Sequence, residues 1–159
     1  MTVKQIAEKY QLWQQIEKAV NGILAEEAAP ALLEKIGQIP IQKSWATRRL
    51  GAYVSMGKDP ICIRLQFAQE SENLKQTFLH EVAHACDHLS RKSGHQSYRR
   101  AHGSSWKTWA KELGIPPQCC GESEAVKKLH QQRLKLVAIC QKCGAEFHRV
   151  RHLNRNRTY

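Results

Sequence analysis

The chain has 159 residues, 42% of them hydrophobic and 25% charged, which suits one domain with at most a small appendage and excludes a wholly disordered chain. No apolar run approaches the roughly 20 residues that cross a bilayer, and the opening MTVKQIAEKYQLWQQ lacks a signal peptide's apolar stretch; a membrane-spanning or conventionally secreted protein is excluded and an intracellular one expected. The net charge of +11 is unevenly placed: from Lys127 to Tyr159 nine Lys or Arg face the single acid Glu146, giving +8 in 33 residues against +3 in the first 126.

In chain order, Ile6, Tyr10, Trp13, Ile16, Val20 and Ile23 recur at spacings of three and four, the pattern of one amphipathic helix. A second short helix is predicted over Pro30 to Lys35, ending near Gly37. Two apolar runs, Leu50 to Met56 and Ile61 to Leu65, flank Gly57-Lys58-Asp59-Pro60, a β-hairpin signal. A longer helix opens at Ser71 as N-cap, with Leu74, Phe78, Val82, Ala85 and Leu89 on its apolar stripe, and frays by Ser93-Gly94. Arg91 to Arg100 reads as a polar loop. Trp106, Trp109, Ala110 and Leu113 mark a further helix stopped by Gly114 and Pro116, and Ala125 to Val137 is predicted helical. The order is that of an α+β fold.

Of the six cysteines, Cys62, Cys86, Cys119 and Cys120 read as buried or spare thiols, and only Cys140 and Cys143 show metal-ligand spacing. In an intracellular chain metal binding or free thiols are better readings than disulfides.

The helix from Ser71 contains His80-Glu81-Val82-Ala83-His84, the HExxH pattern. Positions i and i+4 lie one above the other on a helix, so both imidazoles reach one metal ion, and the glutamate one residue along reaches a water on it without binding the metal. Such a metal acidifies the water, the carboxylate takes its proton, and a carbonyl is attacked. Zinc in these sites takes a third protein ligand, for which His88, His95, His102 and His130 are candidates. His88 continues the i+4 row, but three ligands on one straight helix do not converge. His95 lies in a polar loop without supporting pattern. His102 is followed by Gly103, which lets the backbone approach closely, and by Trp106, which can wedge the ligand-bearing turn against the core; it is the best candidate.

HEVAH followed by a loop and His102-Gly103-Ser104-Ser105-Trp106 resembles the SprT-like metallopeptidases, whose signature is HExxH, a loop, then HGxx with Trp or Phe. Upstream, Gly51-Ala52-Tyr53 and Ile61-Cys62-Ile63-Arg64-Leu65 are similar to that family's hairpin, so the likeness spans roughly residues 39–159. The resemblance implies a helical, zincin-like metallopeptidase domain with a small β-sheet over residues 1–126. It further implies catalytic zinc on His80, His84 and His102, with Glu81 as general base. Two departures stand out. The loop between His84 and His102 is long and carries Arg91, Lys92, Arg99 and Arg100. The family's zinc ribbon, built from two cysteine pairs, is represented in residues 127–159 by one pair, Cys140 and Cys143, so the segment reads as a partial, truncated ribbon holding half of a second zinc site. Alternatively Cys140, Cys143, His148 and His152 (C-x2-C-x4-H-x3-H) close a four-ligand site alone, or no metal binds and the tail is loose.

The charge step implies a polyanion partner, with a solvated tail as the bland alternative; the resemblance implies DNA. Lys142, Arg149, Arg151, Arg155 and Arg157 are the candidate contacts, and guanidinium groups on phosphates bind without reading sequence and with strong salt dependence. The expected function is a zinc metallopeptidase recruited to DNA, in the cytoplasm, on the nucleoid or in a nucleus, acting on DNA-bound or crosslinked proteins. A second reading keeps the enzyme but has it cut a repressor-type protein, because His80 to His88 also matches HExxHxxxH. A third makes the chain a nucleic-acid-binding zinc module with an idle protease site.

Overall fold

The computed structural model describes residues 1–91, 101–117 and 121–151. Its first helix, α1 (Val3–Lys9), opens on a reciprocal cap: the Thr2 hydroxyl accepts from the Gln5 backbone N–H, and the Gln5 side chain accepts from the Thr2 N–H. It closes where Gln11 turns left-handed at φ 59°. There the Leu12 N–H donates to the Ala7 carbonyl at 2.7 Å and the Gln11 N–H to Glu8 at 3.1 Å, both bonds of a Schellman stop. The chain restarts as α2 (Trp13–Ile23). The single helix expected over Ile6 to Ile23 is therefore two, broken by a residue that is not glycine.

Helix α3 (Ala29–Gln38) runs through Gly37, because the stop is Pro40: the residue before a proline is pushed out of the helical region. There the chain enters a strand the sequence did not announce, β1 (Ile41–Lys43). The expected hairpin follows as β2 (Gly51–Met56) and β3 (Asp59–Leu65). The sheet order is β1-β3-β2, with β1 parallel and β2 antiparallel to β3. The turn is shorter than expected. Met56 pairs with Asp59, and Gly57 alone supplies the positive φ (60°) that a glycine-led two-residue turn needs. Asp59 and Pro60 belong to β3. A register shift between Val54 and Ser55 lets the proline sit beside a bulge.

Helix α4 (Ser71–Leu89) carries the HExxH motif. Its N-cap is Glu70 rather than Ser71, and the Glu70 carboxylate has a structural task that displaced the serine: it accepts from the Ala125 N–H at 2.9 Å and from Asn73 Nδ2 at 2.8 Å. The helix ends at Leu89, with the Ser90 N–H on the Cys86 carbonyl; the fraying expected at Ser93-Gly94 lies outside the described residues. Helix α5 (Ser104–Glu112) stops at Leu113-Gly114, where Gly114 takes φ 66°. Helix α6 (Glu124–Arg133), capped by the Ser123 hydroxyl, is shorter than predicted. Leu134 turns extended, and Lys135–Ile139 forms β4, paired antiparallel with β5 (Glu146–Arg149).

The architecture is α+β. The core gathers Ile6, Ile16, Val20, Ile36, Ile63, Leu65, Phe78, Val82, Trp106 and Leu113, all buried. Helix α4 lies between the three-stranded sheet and α5, with α2 backing α5 and α3 touching α4. That sandwiching fixes both faces of the motif-bearing helix. Among the described residues no helix is long and apolar enough to cross a membrane.

Candidate active site

His80 and His84 project from successive turns of α4, and His102 meets them from the turn that leads into α5. The His102 Nε2 lies 3.1 Å from the Nε2 of both His80 and His84. Three nitrogens bound tetrahedrally to one zinc at 2.0–2.1 Å would sit about 3.3 Å apart, so the triangle already has the size of a metal site. These three side chains are the one group among the described residues whose donor atoms gather in this way.

Behind them stands Trp106, fully buried, its ring centroid 4.5 Å from that of His102, 4.8 Å from His80 and 5.3 Å from His84. The indole is the wall against which all three imidazoles rest, the wedge expected from the His102-Gly103-x-x-Trp106 pattern. Burial pushes the His80 imidazole down to about 4 and His84 to about 3, and mutual repulsion among the rings adds to it; burial lowers His102 as well. The rings are therefore neutral near pH 7, with lone pairs free for a cation. The donor set fits a metal ion.

Glu81 is buried (6% exposed) beside this triangle but outside it. Its Oε2 accepts the Tyr53 backbone N–H at 2.7 Å. That N–H is on the outer edge of β2, so the carboxylate pairs an otherwise unpartnered strand edge and is itself fixed in place. Burial raises the Glu81 carboxyl to about 7, against the opposing pull of the Tyr53 N–H and the Arg49 guanidinium. A value there suits a group that must gain and lose a proton near neutrality. The strand also makes room for the carboxylate. A Cβ on Gly51 would stand 2.8 Å from Glu81 Oε1 and 2.7 Å from Thr77 Cγ2. Sequence reasoning missed Gly51, the Tyr53 N–H and Arg49 as parts of the site; the Gly-Ala-Tyr run was the available signal.

The rival ligands are engaged elsewhere. His88 Nε2 donates to the Gly57 carbonyl at 2.9 Å, which leaves Nδ1 to accept from the Tyr53 hydroxyl at 2.7 Å. Burial keeps that phenol protonated and able to donate. His130 Nδ1 pairs with the Thr47 hydroxyl at 2.8 Å. His95 lies outside the described residues.

In the C-terminal segment Cys140 and Cys143 occupy the turn between β4 and β5, both unpaired with any other cysteine. Backbone N–H groups of Cys143 and Lys142 donate to the Cys140 sulfur and lower its pKa, and Gly144 closes the turn at φ 70°. No third metal ligand gathers with the pair among the described residues. His148 lies in β5, with its Nε2 3.6 Å from Glu146 Oε2. His152, Arg155 and Arg157 lie outside the described residues. Lys142, Arg149 and Arg151 are exposed or nearly so along one hairpin and its end.

An α+β domain with three converging imidazoles on and beside an HExxH helix is compatible with metal binding and has the character of a zinc-metallopeptidase-type domain. The profile of the SprT-like family matches residues 38–125, from the end of α3 through the sheet, the motif helix and α5. The chain belongs to the SprT-like family. Comparison with curated proteins and with solved structures finds no match.

Proposed function

We propose that the chain is a zinc-dependent metallopeptidase that acts on proteins bound or crosslinked to DNA. His80, His84 and His102 would hold the zinc ion and Glu81 would act as general base. The observation that carries the peptidase reading is the convergence of three neutral imidazoles beside a fixed, buried carboxylate. The chemistry zinc supplies at such a site is electrophilic: it polarises a carbonyl and makes water acidic. The rest belongs to the protein. Tyr53 N–H holds Glu81 Oε2, leaving Oε1 to take a proton from the attacking water and pass it to the leaving amine. The hydrogen bond fixes the carboxylate's rotamer, so little reorganisation accompanies the transfer.

The DNA half of the proposal is supported by the +8 charge of residues 127–159, which suits a polyanion such as DNA. The repressor-protease alternative needs His88 as ligand, and both nitrogens of that ring are hydrogen-bonded elsewhere. Cleavage of an unfolded protein substrate, with and without single- or double-stranded DNA, tests the whole reading. Zinc-loaded wild type is expected to cut, to cut faster with DNA and to stop on chelation. Glu81→Gln should lose about 10²–10⁴ in rate while keeping its zinc. Equal rates for the two proteins would contradict the mechanism.

A further inference from the structure

The centre opens into a cleft of about 210 Å³ that runs from His80 and Glu81 along the N-terminal half of α4. Asn73, Gln76 and Thr77 line it from the helix, all polar and neutral, and Leu50, Ile115 and Pro116 give it an apolar floor. The charged side chains that line it, apart from Glu81, are two arginines from the loop before β2, Arg48 and Arg49.

Both arginines are exposed, and neither forms an ion pair among the described residues. Glu70 accepts from the Ala125 N–H and from Asn73, and Glu122 pairs with Lys127 at 2.7 Å; neither carboxylate is paired with Arg48 or Arg49. Arg49 acts on Glu81, so its charge is partly spent within the site. Among the described residues Arg48 has no such partner. A recess sized for one side chain, neutral along the helix wall away from Glu81 and bordered by the Arg48 guanidinium, with Arg49 partly engaged by Glu81, suits a carboxylate. Guanidinium groups hold carboxylates through two parallel hydrogen bonds, whereas a Lys or Arg in the same recess is repelled.

We propose that this cleft is a specificity subsite for an acidic side chain of the substrate next to the scissile bond, with Arg48 as the principal determinant and Arg49 in support. The proposal rests on the metallopeptidase reading. It concerns the protein substrate and not the DNA, because these arginines line a recess continuous with Glu81 rather than the open C-terminal hairpin.

The test has two arms. In the first, the zinc-loaded full chain digests a proteome-derived peptide library and the cuts are read by mass spectrometry. Wild type should enrich Asp and Glu at one position flanking the cut. Arg48→Glu should abolish that enrichment and favour Lys or Arg there. Cutting without acidic enrichment, or with a profile that Arg48→Glu leaves unchanged, overturns the subsite but keeps the peptidase. Weaker DNA binding by Arg48→Glu with an unaltered profile reassigns Arg48 to phosphate and also overturns it. No cutting at all counts against the peptidase reading instead. The second arm needs no turnover. A labelled peptide containing Glu should bind the Glu81→Gln protein about tenfold more tightly than its Gln counterpart, and Arg48→Ala should erase the difference. Equal binding of the two peptides to the Glu81→Gln protein overturns the proposal whatever the first arm shows. Arg48 is a loop residue in solvent, so its variants should melt with wild type.

Discussion

Gly51 and Glu81 share a space that holds one of them with a side chain. An added methyl at 51 would stand 2.8 Å from the Glu81 carboxylate and 2.7 Å from Thr77 Cγ2, inside van der Waals contact, so either β2 or the carboxylate must shift. Gly51→Ala is expected to lower kcat by at least about tenfold, since a displacement near 1 Å at a reacting group costs up to about 10², with zinc content unchanged. Wild-type kcat in that variant would show the carboxylate's placement to be uncritical. The titrations at this site oppose one another. The histidines, lowered to about 4 and 3, bind protons more readily unfolded, so they withdraw stability as pH falls below 6.5. Glu81, raised to about 7, binds its proton more readily folded, so it adds stability over the same descent from 7 to 4.5. Metal-free Glu81→Gln should therefore lose melting temperature on acidification from pH 7 to 4.5 more steeply than metal-free wild type; parallel curves would contradict the assignment. The three converging histidines were legible in the sequence because helical spacing alone stacks His80 over His84, and because a Gly and a Trp mark the turn at His102. Gly51, Tyr53 N–H and Arg49 were not, since their roles arise only when a strand edge is laid against the helix.

At the level of elements, the Tyr53–His88–Gly57 chain of hydrogen bonds ties the hairpin's turn to the C-terminal half of α4. His88→Ala removes both bonds and should cost about 1–3 kcal/mol, read by chemical denaturation, with zinc at the triad retained. Loss of zinc with no loss of stability would turn His88 into a ligand. The elements that sequence patterning placed well were those set by their own periodicity, α4 and α5. The misplaced boundaries share a cause: the deciding interaction was not periodic. Gln11 breaks the first helix without a glycine to announce it, because the apolar spacing continues unbroken across the Schellman stop. β1 has three residues and exists through its parallel pairing with β3, with the Ile41 N–H also donating to the Met1 carbonyl, and Lys135–Ile139 is a strand because Glu146–Arg149 is there to pair with it.

For the whole molecule, the proposed chemistry lies before residue 103 and the proposed recruitment to DNA after residue 126. Replacing Lys142, Arg149, Arg151, Arg155 and Arg157 with Gln should therefore weaken DNA binding and leave zinc and small-peptide cleavage intact. Each lost phosphate contact removes roughly 0.9 from the log–log salt slope on duplex and about 0.7 on single strands, so three or four contacts would flatten it by about two to four. Unchanged slopes would mean that the charge step only solvates the tail. The most direct test of the account as a whole is a zinc titration at pH 7.5 in a Cys140→Ser/Cys143→Ser background, where the histidine triad is the site under measurement. The account predicts one tight zinc per chain and a weakening of at least about 100-fold on His102→Ala, since a first-row metal site reduced to two ligands holds poorly. Equal affinity with and without the His102 imidazole would contradict it.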